Sequence, residues 1–166
     1  ALPADKFRVG LMLFTETGGG DSGNDGAYVR AAIRPLSTAN KPLYQNLVNG
    51  LGKLADKSNG GKISKAMEEA YLYLSAGVPH AGNNKIKADF FGNSGVNASS
   101  DAIYALGSNA LAGKAAIQYN SPIVSGCAKN FIIYISNGPA QDNNSDIIQA
   151  TTALAAAGGS TAAIAI

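Results

Sequence analysis

The residues best placed to do chemistry follow a short apolar run near the end of the sequence. Residues 131–135 read FIIYI, and the polar segment 136–142 that comes next contains Asn137, Gly138 and Asp142. An uninterrupted apolar run of this length is typical of a strand buried on both faces, as in a parallel sheet covered by helices. Because ligands in such sheets bind just beyond the carboxyl ends of the strands, the sequence predicts a functional loop at 137–142.

Three other segments contain the residues of known motifs but not their context. The glycines of 18–23 have the spacing of a dinucleotide-binding loop, but the segment after them alternates like a strand where that loop requires a helix. Residues 107–114, GSNALAGK, exceed a phosphate-binding loop by one residue, and Ala115 replaces the hydroxyl residue that holds magnesium. The GDSG at 20–23 resembles a protease nucleophile loop, but the only His, His80, follows the Ser instead of preceding it.

The remaining reactive side chains favour structural roles. Asp21 and Asp25 resemble part of a calcium loop that no Glu closes, so a surface loop is the better interpretation. Glu68 and Glu69 fall on a predicted helix and are interpreted as a solvated face with capping partners, not as paired catalytic acids. Cys127 is the only Cys, which excludes an internal disulfide and leaves a buried side chain or a bridge to sequence outside this chain.

Composition narrows the class of protein. The chain has 166 residues, 46% of them hydrophobic and 14% charged, which suits one globular domain with a real core. A low charge content with 20 Gly indicates an extracellular module. The net charge of +2 comes without a Lys/Arg run, which argues against a nucleic-acid partner, and the apolar runs are of strand length, so no membrane span is expected.

Strand and helix signals alternate along the chain. Residues 7–14 and 27–36 predict two strands joined by the loop 18–26, and they most simply form a hairpin whose second strand is a half-exposed antiparallel edge. Helical spacing of apolar residues follows, with Ser37 or Thr38 as the first cap. Helices are predicted at 37–56, 63–75 and 145–157, and a final strand at 160–166 completes a right-handed βαβ unit with the 131–135 strand.

In the segment from about 77 to 129 the apolar residues recur with no sustained helical or strand period, and the segment is rich in Gly, Asn and Ser. It is longer than loops usually are, which is typical of a functional or family-specific insertion. The whole chain, residues 1–166, is therefore predicted to be a single domain with this irregular insertion. The sequences at its two ends, ALPADKFRVG and AIAI, indicate a domain truncated at both ends.

Two long strings carry a family resemblance. The order of FRVGLMLF, a helix, SNGGKISKAMEEAYLYL and FIIYISNGPAQDN resembles a von Willebrand factor A domain. More narrowly, AMEEAYLYLSAG and NFIIYISNGPAQDNNSDI are similar to the N-terminal A domain of PilY-type proteins, the adhesins and assembly factors of bacterial type IV pili. The resemblance spans nearly the whole chain.

The resemblance implies a doubly wound, mostly parallel α/β sheet with one antiparallel edge hairpin. It also implies a metal-dependent adhesion site made by an Asp-x-Ser-x-Ser, a Thr and an Asp-Gly, and the chain departs from all three. Lys62 falls at the Thr position, Asn137 falls at the Asp position, and the first motif is missing. Asn137 and Asp142 are the candidate metal residues of this degenerate site, and Gly138, Lys62 and Ser64 complete the candidate binding loops.

An ammonium at Lys62 and a neutral amide at Asn137 weaken the attraction for a divalent cation. No cofactor is therefore expected, unless an Asp-x-Ser-x-Ser lies upstream, in which case weak Mg or Ca binding is implied. The first central strand of the family's sheet is also missing from this chain. We therefore expect a gap or an additional chain between the strands at 7–14 and 131–135.

The function implied is a non-enzymatic adhesion and assembly module of a pilus-associated protein. Its implied partners are minor pilins, a host or surface ligand and the remainder of its own protein, at the cell surface or pilus tip of a Gram-negative bacterium. The alternative is a degenerate hydrolase-like enzyme using the 137–142 loop, which lacks a catalytic base because His80 stands alone.

Overall fold

A computed structural model of the chain describes residues 5–14, 26–51, 61–80, 106–112, 116–124, 129–136 and 138–156, together with positions 3 and 103. The elements delimited in these residues are of mixed α/β class, as predicted. They are two strands and three helices: β1 (Arg8–Phe14), β2 (Ala27–Pro35), α1 (Asn40–Gly50), α2 (Ile63–Ser75) and α3 (Asn144–Ala156).

The two strands form the predicted antiparallel hairpin. Met12 pairs with Val29 and Phe14 with Ala27, and the register shifts between Val9 and Met12. Gly10 lies at this irregularity, where a Cβ would come within 2.7 Å of the Ile33 side chain. The shift interrupts the simple alternation of faces, as a β-bulge does.

Strand β2 is buried on both faces, so the prediction that it is half exposed was wrong, whereas within the described residues it is an antiparallel edge strand, because it pairs with β1 alone. Val29 and Ala32 pack in one cluster with Tyr73 of α2, while Ala31 packs in another with Tyr44 of α1. The two arginines of the strand are covered as well, since Arg30 is 0% and Arg34 is 2% exposed. Strand periodicity alone could not show that its polar positions would be covered.

The helices begin and end at identifiable signals. Helix α1 begins at Asn40 with Ala39 at its N-cap, not at the predicted Ser37 or Thr38, and the Ser37 hydroxyl accepts the Asn40 N–H at 3.0 Å from the turn before the helix. Helix α1 ends at Gly50 because Leu51 is extended (φ −63, ψ 125), so the predicted extension to residue 56 was too long. Helix α2 has the predicted bounds. The residue after it, Ala76, is left-handed with φ 60, and the Gly77 N–H donates to the Leu72 carbonyl at 2.7 Å.

Part of the predicted insertion belongs to the core. Ala110, Leu111 and Tyr119 are buried in the cluster that contains Val29 and Tyr73. The Tyr119 and Tyr73 rings meet edge to face, with centroids 5.4 Å apart. Residues of 106–112 and 116–124 therefore pack on the hairpin, although their sequence has no sustained periodicity.

Residues 131–135 are not the buried strand that the sequence predicted. They are assigned to no strand, and Phe131, Ile133 and Ile135 are 81%, 85% and 83% exposed. Within the described residues the sheet contains β1 and β2 alone, so β1 is not paired with 131–135. The predicted strand at 160–166 lies outside the described residues, so the parallel, doubly wound arrangement stays a prediction.

None of the helices in the described part of the chain has both the length and the apolar character needed to cross a membrane.

Candidate functional site

The loop after residue 136 is anchored on the first turn of α2 by Asp142. One carboxylate oxygen accepts the Ile63 N–H at 3.0 Å. The other accepts the Ser64 N–H at 3.0 Å and the Ser64 hydroxyl at 2.5 Å. The first N–H groups of a helix have no partner within the helix, and a carboxylate there is also attracted by the helix dipole. Asp142 therefore caps α2 from 78 positions away in the chain.

A backbone contact fixes the same loop beside the cap. The Gln141 N–H donates to the Gly61 carbonyl at 2.8 Å. Because the cap and this bond hold adjacent residues of the loop, its base has a defined position against α2. Residues 138–141 are exposed above that base.

A second carboxylate, Asp146 of α3, lies between two ammonium groups. Its Oδ2 is 2.5 Å from Lys62 Nζ and its Oδ1 is 3.2 Å from Lys65 Nζ. Asp146 is 4% exposed. Burial would raise the pKa of Asp146, but the Asn143 N–H and the two lysines outweigh it and hold the pKa at about 2. The carboxylate therefore stays ionised in the folded protein at neutral pH.

Asp146 also takes part in the cap at the N-terminus of its own helix, α3. Its Oδ2 accepts the Asn143 N–H at 2.8 Å, and the Asn143 side-chain oxygen accepts the Asp146 N–H at 3.0 Å. This reciprocal pair has the geometry of a capping box, with Asp in place of Glu. One carboxylate thus joins the start of α3 to the start of α2.

Glu68 and Glu69 lie farther along α2. The prediction that they form a solvated face was wrong. They are 6% and 0% exposed. Glu69 accepts hydrogen bonds from the Tyr119 hydroxyl and from the His80 N–H, the latter at 3.0 Å. Burial, and then the negative charge of Glu69, raise the pKa of Tyr119 far above its ordinary value. Glu69 is therefore a structural acceptor that fixes two later segments on α2.

The buried Glu68 carboxylate is less fully hydrogen-bonded than that of Glu69. Within the described part of the chain its buried Oε2 has no hydrogen-bond partner. Burial raises the pKa of Glu68, and the nearby charges of His80 and Lys65 oppose this shift. The His80 ring lies 3.0 Å from the Gln149 amide nitrogen, which joins this end of the cluster to α3.

The structure brings together three of the predicted site residues. Lys62, Ser64 and Asp142 meet where α2 begins. Gly138 lies in the exposed loop above them, where its N–H and carbonyl both contact the Ser136 hydroxyl at 3.2 and 2.9 Å. Asn137 lies outside the described residues, as does Cys127.

The sequence reasoning missed Asp146, Lys65 and the burial of the two glutamates. Asn143 and Asp146 have the spacing of a capping box, a signal that was available. Lys65 is one helical turn from Glu68 and Glu69 on α2, a spacing that permits contact. Nothing in the sequence indicated that Asp146 of α3 would contact Lys65, or that His80 and Tyr119 would contact Glu69.

The described residues do not fit a divalent cation at this edge. Asp142 already uses both oxygens in capping α2, and Asp146 already faces two ammonium groups. A cation would have to displace these bonds and would be repelled by Lys62 and Lys65. Among the residues that the structure describes, no group of three or more His, Cys, Asp or Glu side chains could hold a metal ion.

Comparison of the chain with protein-family models, with curated proteins and with solved structures finds no match. The resemblance to A domains of PilY-type proteins is therefore carried by the quoted strings alone.

Proposed function

We propose that the chain is a non-enzymatic adhesion and assembly module of a type IV pilus-associated surface protein. The observation that carries this proposal is the commitment of both Asp142 oxygens to the cap of α2. An acid that acts as a base or nucleophile needs an oxygen directed at a substrate. Here the acid holds a loop in place instead.

The loop that Asp142 holds has the properties of a recognition surface. Residues 138–141, Gly-Pro-Ala-Gln, are uncharged and exposed above an anchored base. A positioned loop loses little conformational entropy when a partner binds, which favours affinity. The partners proposed are minor pilins, a host or surface ligand and the remainder of the same protein, and the quoted strings support this choice.

The proposed location is the cell surface or pilus tip of a Gram-negative bacterium. The experiment that tests the function is substitution of an exposed loop residue in the full-length protein of a piliated strain. Ala140→Arg adds a long charged side chain to the recognition loop without touching the cap. Gln45→Arg, at an exposed position of α1, is the matched control.

We expect Ala140→Arg to reduce surface attachment or piliation, and Gln45→Arg to change neither. Reduced attachment with a normal number of pili supports adhesion, whereas a reduced number of pili supports assembly. If Ala140→Arg changes neither, or if the control has an equal effect, the loop is not the recognition surface. Attachment measured with a chelator present should be unchanged, because the ammonium groups of Lys62 and Lys65 already neutralise Asp146.

A further inference from the structure

An open cleft lies where residues 108–112 and 120–124 pack beside the hairpin and α2. Its volume is about 580 Å³, within the range of roughly 300–1,000 Å³ that is usual for ligand sites. The buried side chains of Tyr73 and Leu111 line the cleft, together with the exposed side chain of Arg8 at the start of β1. The cleft contains none of the residues of the recognition loop or of its anchor on α2, so it is a separate surface.

Hydrogen bonds hold the two later segments of the cleft in place. The Asn120 N–H donates to the Ala110 carbonyl at 2.8 Å, and the Asn120 side-chain amide donates to the Asn109 carbonyl at 3.0 Å. The Ser121 hydroxyl donates to the Leu74 carbonyl of α2 at 2.6 Å. Because its walls are already fixed to each other and to α2, the cleft needs little ordering when a ligand binds, which favours affinity.

A single guanidinium gives the cleft its charge. Arg8 is the only charged side chain among the described residues that line the cleft. Within the described part of the chain it makes one hydrogen bond, from Nη2 to the Ile33 carbonyl at 3.3 Å. An Arg fork binds a carboxylate through two parallel N–H groups. A phosphate monoester carries close to two negative charges, which one guanidinium does not balance. The charge of the cleft therefore favours a ligand with one carboxylate.

The rest of the lining provides an amide and an apolar wall. The Asn120 side chain uses one N–H for the bond to Asn109, and within the described residues its Oδ1 makes no hydrogen bond. An amide with an open acceptor and a second N–H complements a peptide group, which has one donor and one acceptor. Ile123 and Val124, which are 45% and 46% exposed, form the apolar wall. A carboxylate, a peptide group and an apolar side chain occur together in the last residue of a polypeptide.

We propose that this cleft binds the free carboxyl terminus of a polypeptide that ends in an apolar residue. Arg8 binds the terminal carboxylate, Asn120 binds the last peptide group, and the wall of Ile123 and Val124 packs against the last side chain. Each polypeptide has one such terminus, so the site recognises the end of a partner and not an internal segment. The site is independent of the recognition loop at 138–141.

The test is an NMR titration of the whole chain, labelled with ¹⁵N, with the N-acetylated peptide Ala-Gly-Ala-Val-Leu, which has a free carboxyl terminus. The peptide should shift the amide signals of residues 108–112 and 120–124. The same peptide with a terminal carboxamide lacks the charge-assisted bond to Arg8 and should bind about tenfold more weakly. An absence of binding, equal affinities for the two peptides, or shifts confined to other residues would overturn the proposal.

Substitution of the cation tests the role of Arg8. Arg8→Gln should weaken binding of the free peptide about tenfold and leave binding of the carboxamide peptide unchanged, a difference that misfolding could not produce. Lys6→Gln is the matched control, because it removes one positive charge from an exposed residue outside the cleft. An equal effect of Lys6→Gln would show that net charge alone governs binding, against the proposal.

Two further comparisons test the apolar wall and the peptide group. Ile123→Asn and Ile123→Asp both remove an apolar side chain, but only Asp repels the terminal carboxylate, so Asp should weaken binding more than Asn. Ile117→Asp, at a residue that is 81% exposed and outside the cleft, should leave binding unchanged. The acid 4-methylpentanoate has the carboxylate and side chain of leucine without a peptide group and should bind more weakly than the peptide. Equal affinity for this small acid would overturn recognition of a polypeptide terminus.

Discussion

Arg34 of β2 donates a hydrogen bond from Nη2 to the side-chain oxygen of Asn109 over 2.5 Å, and thereby joins the hairpin to a segment 75 positions later. The same guanidinium donates through Nε to the Gly107 carbonyl at 2.8 Å. A buried cation is tolerated because its fork of N–H groups matches these fixed acceptors.

Replacement of this guanidinium should therefore be costly. Arg34→Lys keeps the charge but cannot donate to both Gly107 and Asn109 in the same geometry, and we expect a loss of about 2–4 kcal/mol in the free energy of unfolding, measured with urea. Arg8→Lys is the control, because Arg8 is exposed and donates to the Ile33 carbonyl at 3.3 Å. An equal loss in both variants would contradict this account.

Removal of the cap from α2 should also destabilise the fold. Asp142→Ala leaves the N–H groups of Ile63 and Ser64 without their acceptor, and we expect a loss of about 1–2 kcal/mol in the free energy of unfolding. Gln141→Ala, next to it in the loop, keeps its backbone bond to Gly61 and should change stability by less than about 0.5 kcal/mol. Hydrogen exchange at the start of α2 should increase in the Asp142 variant alone.

The low pKa of Asp146 makes stability depend on pH in acid. Because its pKa is lowered to about 2 from 3.8, the folded state holds fewer protons on this carboxyl than the unfolded state. Its contribution is present above pH 3.8 and is lost as the pH falls toward about 2. In Asp146→Asn this part of the pH dependence of unfolding should disappear, and stability at neutral pH should fall by about 1–3 kcal/mol. If Asp146→Asn loses stability in acid as the unmodified protein does, the ion pairs of Asp146 with Lys62 and Lys65 are contradicted.

The two adjacent glutamates should respond in opposite ways to removal of their charge. The pKa of Glu68 is raised, so its contribution to stability is present below pH 4.5 and is lost as the pH rises through its higher folded pKa. Glu68→Gln should therefore keep or increase stability at neutral pH.

Glu69→Gln is the matched comparison, because the Tyr119 hydroxyl and the His80 N–H donate to different oxygens of Glu69, and the amide keeps only one acceptor oxygen for these two donors. We expect a loss of about 1–3 kcal/mol there. Urea unfolding of both variants at neutral pH provides the measurement, and equal effects in the two variants would contradict the different roles assigned to these two carboxylates.

A substitution at Gly26 tests the packing of the hairpin on α2. Gly26 has φ +80, and a Cβ there would lie 2.5 Å from the Lys65 Cβ. Gly26→Ala is therefore expected to lower the free energy of unfolding by about 2–4 kcal/mol. Gly107→Ala is the control, since a Cβ at that position meets nothing within 4 Å. Comparable losses at both positions would rule out the close approach of Gly26 to α2.

Local patterns predicted the hairpin and the exact bounds of α2, because both depend on periodicity and on signals within a few residues. The family resemblance, not a local pattern, implied Lys62, Ser64 and Asp142 as residues of the candidate binding loops, and the structure brings these three together. Periodicity could not predict that Arg30, Arg34, Glu68 and Glu69 are buried, since a polar side of a strand or helix is covered only when a distant segment supplies acceptors or donors for it.

The error at residues 131–135 has a different cause. Apolar character predicted burial there, but burial requires a neighbouring segment that covers both sides, and the composition of a strand does not determine whether one is present. The strand preference of residues 131–135 depends on their own side chains. Whether other segments cover them depends on distant parts of the chain, which the local sequence does not show.

The cap that Asp142 provides has a consequence for the order of folding during synthesis. A ribosome completes α2 long before residue 142 leaves the exit tunnel, so the helix emerges with the N–H groups of its first turn open to water. A bond between residues 78 positions apart requires closure of a long loop, which is slow compared with helix formation. We therefore expect the start of α2 to be among the last parts of the chain to become protected, after translation has passed Asp142.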